Sequence, residues 1–198
     1  VGGTGDNVYY FGNSTSGCTT ESGANQHWSW IGGVNYGVTT VDLSPDGNYI
    51  AVGGPGYNPS GFVAFYVNAT NAQHVQKWQN YSVDGIWDVE VSDDGYAVAA
   101  VSVGLDTLYY WANAASLSGS PAATWTRNHD FTSVDMSSNG NRVVAGYEEL
   151  DFTSLHYWDN AKTRTGTDEK ETWIALPTLQ VRDVAISNSG SIIAATTH

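Results

Sequence analysis

Apolar and polar positions along this chain group into short runs that never take on the three-to-four-residue spacing of an amphipathic helix. Val38, Val41 and Leu43 form one such run, which recurs as Ile86, Val89 and Val91, as Phe131, Val134 and Met136, and as Val181, Val184 and Ile186. Each run leads into the same kind of turn: Ser44-Pro45-Asp46-Gly47, Ser92-Asp93-Asp94-Gly95, Ser137-Ser138-Asn139-Gly140 and Ser187-Asn188-Ser189-Gly190. The turn glycines lie 48, 45 and 50 residues apart. A second apolar run follows each glycine, and then an aromatic stretch ending in Asn: Val8 to Asn13, Val63 to Asn68, Leu108 to Asn113 and Leu155 to Asn160. After a polar loop comes a fourth run marked by Trp30, Trp78, Trp125 and Trp173. The pattern predicts four strands per unit and no helix. Asp-Gly and Asn-Gly between apolar runs predict tight hairpins, and the aromatic and β-branched residues suit a pleated, half-buried surface.

A repeat of this period belongs to a propeller or a solenoid, and four-stranded units arranged radially make a β-propeller; a solenoid needs shorter, more uniform turns. The expected fold is therefore all-β: a propeller of four-stranded antiparallel blades, with four repeat units near 1–51, 52–99, 100–144 and 145–198 in a single domain or a segment of a larger propeller. Aligned on the repeat, Val1 and Ala195 both match Val52, so one blade is split between the ends of the sequence. Three arrangements fit: the halves join within the chain, they join between chains by strand complementation, or the chain is a segment of a longer propeller.

The units resemble WD40-like and quinoprotein-like propeller repeats written V-x-x-V-x-h-S-x-D-G. Ile86-Trp87-Asp88-Val89-Glu90-Val91-Ser92-Asp93-Asp94-Gly95 and Tyr157-Trp158-Asp159 match best. The resemblance covers essentially the whole chain and implies the fold, while such repeats serve scaffolds, sensors, surface layers and a few enzymes. In composition and sequons the repeats are most similar to those of archaeal extracellular surface proteins, and the Gly-His dipeptide typical of intracellular WD40 repeats is missing.

Charge narrows the partners. Seven Lys and Arg against 20 Asp and Glu leave a net charge of −13, which disfavours nucleic acid and anionic membrane surfaces. No apolar run approaches a bilayer span, so no membrane insertion is expected. Three N-glycosylation sequons, at Asn13, Asn68 and Asn80, together with a composition rich in Thr, Ser, Asn, Gly and Tyr, point to an extracellular or cell-surface protein. Cys18 is the single cysteine, so it is either a free thiol or half of an intermolecular disulfide.

Candidate chemistry is sparse. His27, His74, His129, His156 and His198 fall at different repeat phases without zinc-ligand spacing, and no nucleophile elbow is present. Gly2-Gly3-Thr4-Gly5 and Gly53-Gly54-Pro55-Gly56 open no helix and read as connecting turns. Glu148-Glu149 and Asp93-Asp94 read as solvated loops and turns. Asp42, Glu90 and Asp135 share one inner-strand position, broken by Ala185; such oxygens either hold calcium or hydrogen-bond the neighbouring blade. Asp88 and Asp183, matched by Thr40 and Ser133, suit a repeated structural hydrogen bond. Trp111 and Trp158 share a phase with Phe11 and Tyr66, as core residues do, whereas Trp28, Trp87 and Tyr147 are free of the pattern and available to a glycan.

No catalytic residue, metal or cofactor is assigned, so the expected role is a non-catalytic extracellular structural or adhesive propeller, a surface-layer or filament subunit that self-associates through blade or edge-strand complementation. The alternatives are a binding module for a glycan or protein and, third, a quinoprotein-type enzyme.

Overall fold

The computed structural model describes residues 7–11, 26–31, 37–55, 61–70, 75–81, 83–102, 107–147, 153–167, 171–177 and 179–197. Its strands are β1 (Asn7–Phe11), β2 (Gln26–Ile31), β3 (Thr40–Leu43), β4 (Tyr49–Gly54), β5 (Phe62–Val67), β6 (Val75–Asn80), β7 (Ile86–Val91), β8 (Ala97–Ser102), β9 (Thr107–Ala112), β10 (Trp125–Asn128), β11 (Phe131–Met136), β12 (Val143–Tyr147), β13 (Thr153–Trp158), β14 (Gly166–Thr167), β15 (Trp173–Pro177), β16 (Val181–Ile186) and β17 (Ile193–Thr197). They form three whole blades, β3-β4-β5-β6, β7-β8-β9-β10 and β11-β12-β13-β15, and two half-blades, β1-β2 and β16-β17. The all-β, antiparallel, four-strand unit expected from the repeat is the unit observed. We number the whole blades 1, 2 and 3 and call β16-β17 the inner half of blade 4.

The hairpin between the first two strands of each unit explains the Ser-x-Asp-Gly signature. Ser44 Oγ donates to Asp46 Oδ1 at 2.6 Å and accepts the Tyr49 N–H at 3.0 Å, while the Asn48 N–H donates to the same carboxylate oxygen at 2.9 Å. Blades 2 and 3 repeat this with Ser92 and Asp94 and with Ser137 and Asn139. Only the glycine is left-handed, at φ 64° to 70° for Gly47, Gly95, Gly140 and Gly190, so these are longer loops around a single positive-φ position rather than two-residue hairpins. The Asn that closes the third strand of each whole blade is left-handed as well, with φ 57° at Asn68, 55° at Asn113 and 59° at Asn160. Asn tolerates that region better than other residues with a side chain, which accounts for the recurrence.

The core lies between blades. Middle strands are buried on both faces: Ala97, Ala99 and Val101 of β8 pack toward Phe131, Val134 and Val143 of blade 3, while Val98 and Ala100 pack toward Phe65 and Trp78 of blade 1. Continuous apolar runs in these strands follow from that double coverage. β1 sits on blade 1 through Val8 and Tyr10, against Ile50, Val52, Ala64 and Tyr66. β16-β17 sits on blade 3 through Val181, Val184 and Ile186, against Val144, Leu155 and Tyr157.

Two readings of the sequence change. The strand register pairs Phe65 with Trp78, Tyr110 with Trp125, Tyr157 with Trp173 and Tyr10 with Trp28, so Trp28, not Trp30, holds the repeat position. Gly53 and Gly54 are not turn residues but the end of β4. A Cβ on Gly53 would lie 2.5 Å from Ile86 Cγ2, and one on Gly54 would overlap the Gly37 carbonyl oxygen, so these glycines permit close blade and backbone approach.

Candidate functional site

The inner-strand carboxylates join one blade to the next. Asp42 Oδ2 accepts the Val91 N–H at 2.8 Å, Asp88 Oδ2 accepts the Val134 N–H at 3.0 Å, and Asp135 Oδ2 accepts the Ile186 N–H at 2.6 Å. The second position of the set alternates hydroxyl and carboxylate: Thr40 Oγ1 donates to Asp88 Oδ1 at 3.4 Å, and Ser133 Oγ donates to Asp183 Oδ1 at 3.0 Å. Of the two roles open to Asp42 and Asp135, bonding to the neighbouring blade is the one occupied. Among the described residues no group of three or more His, Cys, Asp and Glu is placed to hold a metal ion.

Among the described residues no ion pair reaches Asp42, Asp88 or Asp135, and burial dominates their chemistry. Burial raises Asp42 and Asp135 above the usual carboxylate range despite the N–H groups that pull them down. Asp88 is pushed up to about 6, chiefly by burial, with the charge of Asp183 adding to it. Glu90 is raised well above its ordinary value by burial and by the charges of Asp42, Asp135 and Asp88, and its side-chain hydrogen bond with Asp42 raises it further while lowering Asp42.

A second joint lies at the outer rim and runs in the opposite direction. Trp78 Nε1 donates to the Ala114 carbonyl at 2.9 Å, and Trp125 Nε1 donates to the Ala161 carbonyl at 2.9 Å. Ala114 and Ala161 begin short 3-10 turns, Ala114–Ser116 and Ala161–Thr163, in the loop before the fourth strand of the following blade. The same loop of blade 2 meets blade 1 where Gln79 N donates to Gly119 O at 3.0 Å, and that of blade 3 adds β14 to β10 as a parallel fifth strand. Trp78 and Trp125 thus belong to the rim joint, not to a ligand platform.

Between blades 2 and 3, Arg127 Nε lies 2.6 Å from Glu171 Oε1, which His156 Nδ1 faces at 3.1 Å. Burial acts to raise Glu171, but the hydrogen bonds from His156 and Arg127 and the Arg127 charge outweigh it and hold the carboxyl at about 2. His129 stands 5.4 Å from the His156 ring, centroid to centroid, beside Tyr147 and Phe131. No repeat position announces this group, because Arg127 and Glu171 occur in one joint only.

The residues singled out in the sequence fall as follows. Asn68 is exposed. Asn80 is buried, with Nδ2 donating to the Pro121 carbonyl at 2.8 Å, so the geometry offers no room for a glycan on that nitrogen. Asn13, Cys18, Glu148-Glu149, His74, His198 and the first glycine cluster lie outside the described residues. Tyr147 is buried at 3% exposure, whereas Trp87 is 60% exposed. The reason is a bulge: register shifts fall between Ile86 and Asp88, Phe131 and Ser133, and Val181 and Asp183, which turns Trp87, Thr132 and Arg182 out of the ladder. Thr132 and its counterpart Thr39 use this position to donate to the next blade, at Val181 O (2.8 Å) and Ile86 O (2.7 Å). Trp87 gives up that bond and presents an aromatic face. The column 39, 87, 132, 182, beside the column 40, 88, 133, 183, is the sequence signal for it.

Radial blades, a repeated turn and inner-strand bonding define the fold class, a β-propeller built of four-stranded antiparallel blades. Residues 28–58 match the family model described as WD domain, G-beta repeat. No curated protein matches the chain in sequence. Among solved structures, the chain is similar to one from the crystal structure of a mitotic checkpoint complex, with 18% identity, TM-score 0.62, and coverage of 87% of this chain and 51% of the other. It is also similar to a chain of Kuenenia stuttgartiensis hydrazine synthase, with 16% identity, TM-score 0.59, and coverage of 87% and 46%. The chain therefore spans about half the length of these solved chains, and the likeness is one of fold.

Proposed function

We propose that this chain is a non-catalytic, extracellular structural or adhesive propeller that works by protein interaction, completing blades by β-strand addition. One observation carries the reading: among the described residues β17 pairs with β16 alone and β1 with β2 alone, so each half-blade presents a strand edge that takes a partner in every whole blade. The N-glycosylation sequons at Asn13 and Asn68 and a composition rich in Thr, Ser, Asn, Gly and Tyr support the extracellular placement, and the half-blade edges support the surface-layer or filament role. Sedimentation and electron microscopy of the purified chain test it. Concentration-dependent ordered assemblies are expected; discrete monomers at every concentration that bind a separate ligand saturably would refute it.

A second reading, a binding module for a glycan or protein, is favoured by Trp87, whose exposed ring has left the structural role of its repeat counterparts. On that reading Trp87→Ala abolishes retention on a glycan array or partner while leaving the melting temperature within about 2 °C, since surface changes cost little.

A further inference from the structure

We infer that Trp87 and the inner-strand carboxylates beside it form a docking site for a basic segment of a partner protein, whose guanidinium or ammonium group stacks on the exposed indole. This rests on the second reading above, the binding module, and names the chemistry of its partner. Trp87 is the second residue of β7, at the end of that strand farther from the Ser92-Asp93-Asp94-Gly95 turn. Blade 2 is packed between blades 1 and 3, so whole blades flank the ring on both sides.

At the same position Thr39 and Thr132 donate to the first carbonyl of the next inner strand, Ile86 O at 2.7 Å and Val181 O at 2.8 Å. Between blades 2 and 3 that hydroxyl is replaced by the Trp87 indole, which is 60% exposed, and the carbonyl at the corresponding point is that of Phe131. The exchange costs the joint a hydrogen bond, and what it adds faces solvent. It also leaves a carbonyl oxygen at the place where the hydroxyl of the other joints points. An exposed aromatic face and an acceptor next to it are what a cationic head with N–H donors requires.

Charge decides the partner. The inner strands β3, β7, β11 and β16 carry five carboxylates, Asp42, Asp88, Glu90, Asp135 and Asp183, against one cation, Arg182. Asp88 follows Trp87 directly, and these acids stand close enough to act on one another, Asp183 on Asp88 and Asp42, Asp88 and Asp135 on Glu90. A cation is drawn into such a field, and Trp is the side chain whose ring holds one best. The chain uses the same pairing internally: Lys162 Nζ of blade 3 sits 3.9 Å from the Tyr96 ring centroid and 3.8 Å from Asp94 Oδ2 of blade 2. An anionic glycan or a nucleic acid is repelled, and a neutral sugar stacks on the ring but draws nothing from the carboxylates. A free amine is a poor occupant, because a ring so exposed encloses nothing. Binding there needs a chain that continues past the contact and buries area on the flanking blades.

The test titrates the 198-residue chain into a fluorescent Gly/Ser peptide bearing arginines, read by anisotropy, beside twin peptides with citrulline or glutamate in place of arginine and a labelled neutral oligosaccharide. Saturable binding of the arginine peptide alone is expected, weakening as salt is added. Trp87→Leu keeps apolar bulk without the π face, and Trp87→Thr restores the hydroxyl of the other joints. Both variants keep the melting temperature, since the position is at the surface, while their affinity falls on the order of tenfold. Equal affinity in the natural protein and both variants would overturn the proposal, because the negative field alone would then be the binder. Trp87-dependent binding of the oligosaccharide, the citrulline peptide or the glutamate peptide would overturn the basic partner and leave the binding-module reading standing. Absence of saturable binding with every probe would overturn both.

Discussion

Asp88 offers the sharpest test of the buried-carboxylate joints. Its pKa in the folded chain is about 6 against an ordinary 3.8. A group raised on folding adds stability that is complete below its unfolded pKa and is lost as pH rises through the folded one. For Asp88 that window runs from about pH 4 to pH 7, and a shift of roughly two units is worth about 3 kcal/mol of stability lost across it, about 6–12 °C in Tm for a domain of this size. Asp42, Glu90 and Asp135 are raised too and act in the same direction. Glu171 acts the other way, but its contribution is lost only below the ordinary Glu range, as pH falls toward 2. Between pH 5 and pH 7.5 the chain therefore becomes less stable as pH rises. Asp88→Asn keeps an acceptor for the Val134 N–H and removes the ionisation, so its pH slope is shallower than that of the natural protein. Urea unfolding followed by tryptophan fluorescence at pH 5.0 and 7.5 measures both. Equal or greater stability of the natural protein at pH 7.5, or an unchanged slope in the variant, would refute the burial argument.

Trp125→Phe removes the donor to the Ala161 carbonyl and part of a fully buried ring, and the combined loss is about 3 kcal/mol, readable as a lower Tm. Gly54→Ala drives a methyl into the Gly37 carbonyl, a backbone overlap that is expected to cost about 3 kcal/mol or more and to lower the urea midpoint.

How much of this was legible in the sequence follows from what repeats. The Ser-x-Asp-Gly turns, the closing Asn residues and the doubly buried middle strands recur in phase, so Ser44, Asn113 and Val98 could be placed from spacing alone. Register was harder: Trp28 and Trp30 both lie near the right spacing, and only the pairing of Tyr10 with Trp28 decides between them. Exposure at Trp87 comes from a bulge, which shifts a side chain without changing the apolar pattern around it. The Asp42 and Asp88 bonds were legible as two columns of polar residues, but their acceptor role depends on the offset between blades. The ion group of Arg127, Glu171 and His156 occurs once and left no periodic trace.

The two blade joints hold at different radii and run in opposite senses. At the inner radius a carboxylate of the earlier blade reaches forward, as from Asp42 to the Val91 N–H. At the rim an indole of the earlier blade is caught by a loop reaching back from the later one, as at Trp78 and Ala114. A joint pinned at one radius swings like a hinge; pinned at two, it does not. Neighbouring blades cannot fan apart without breaking both bonds together, so a tensile load applied at the rim is carried around the arc instead of opening a single seam.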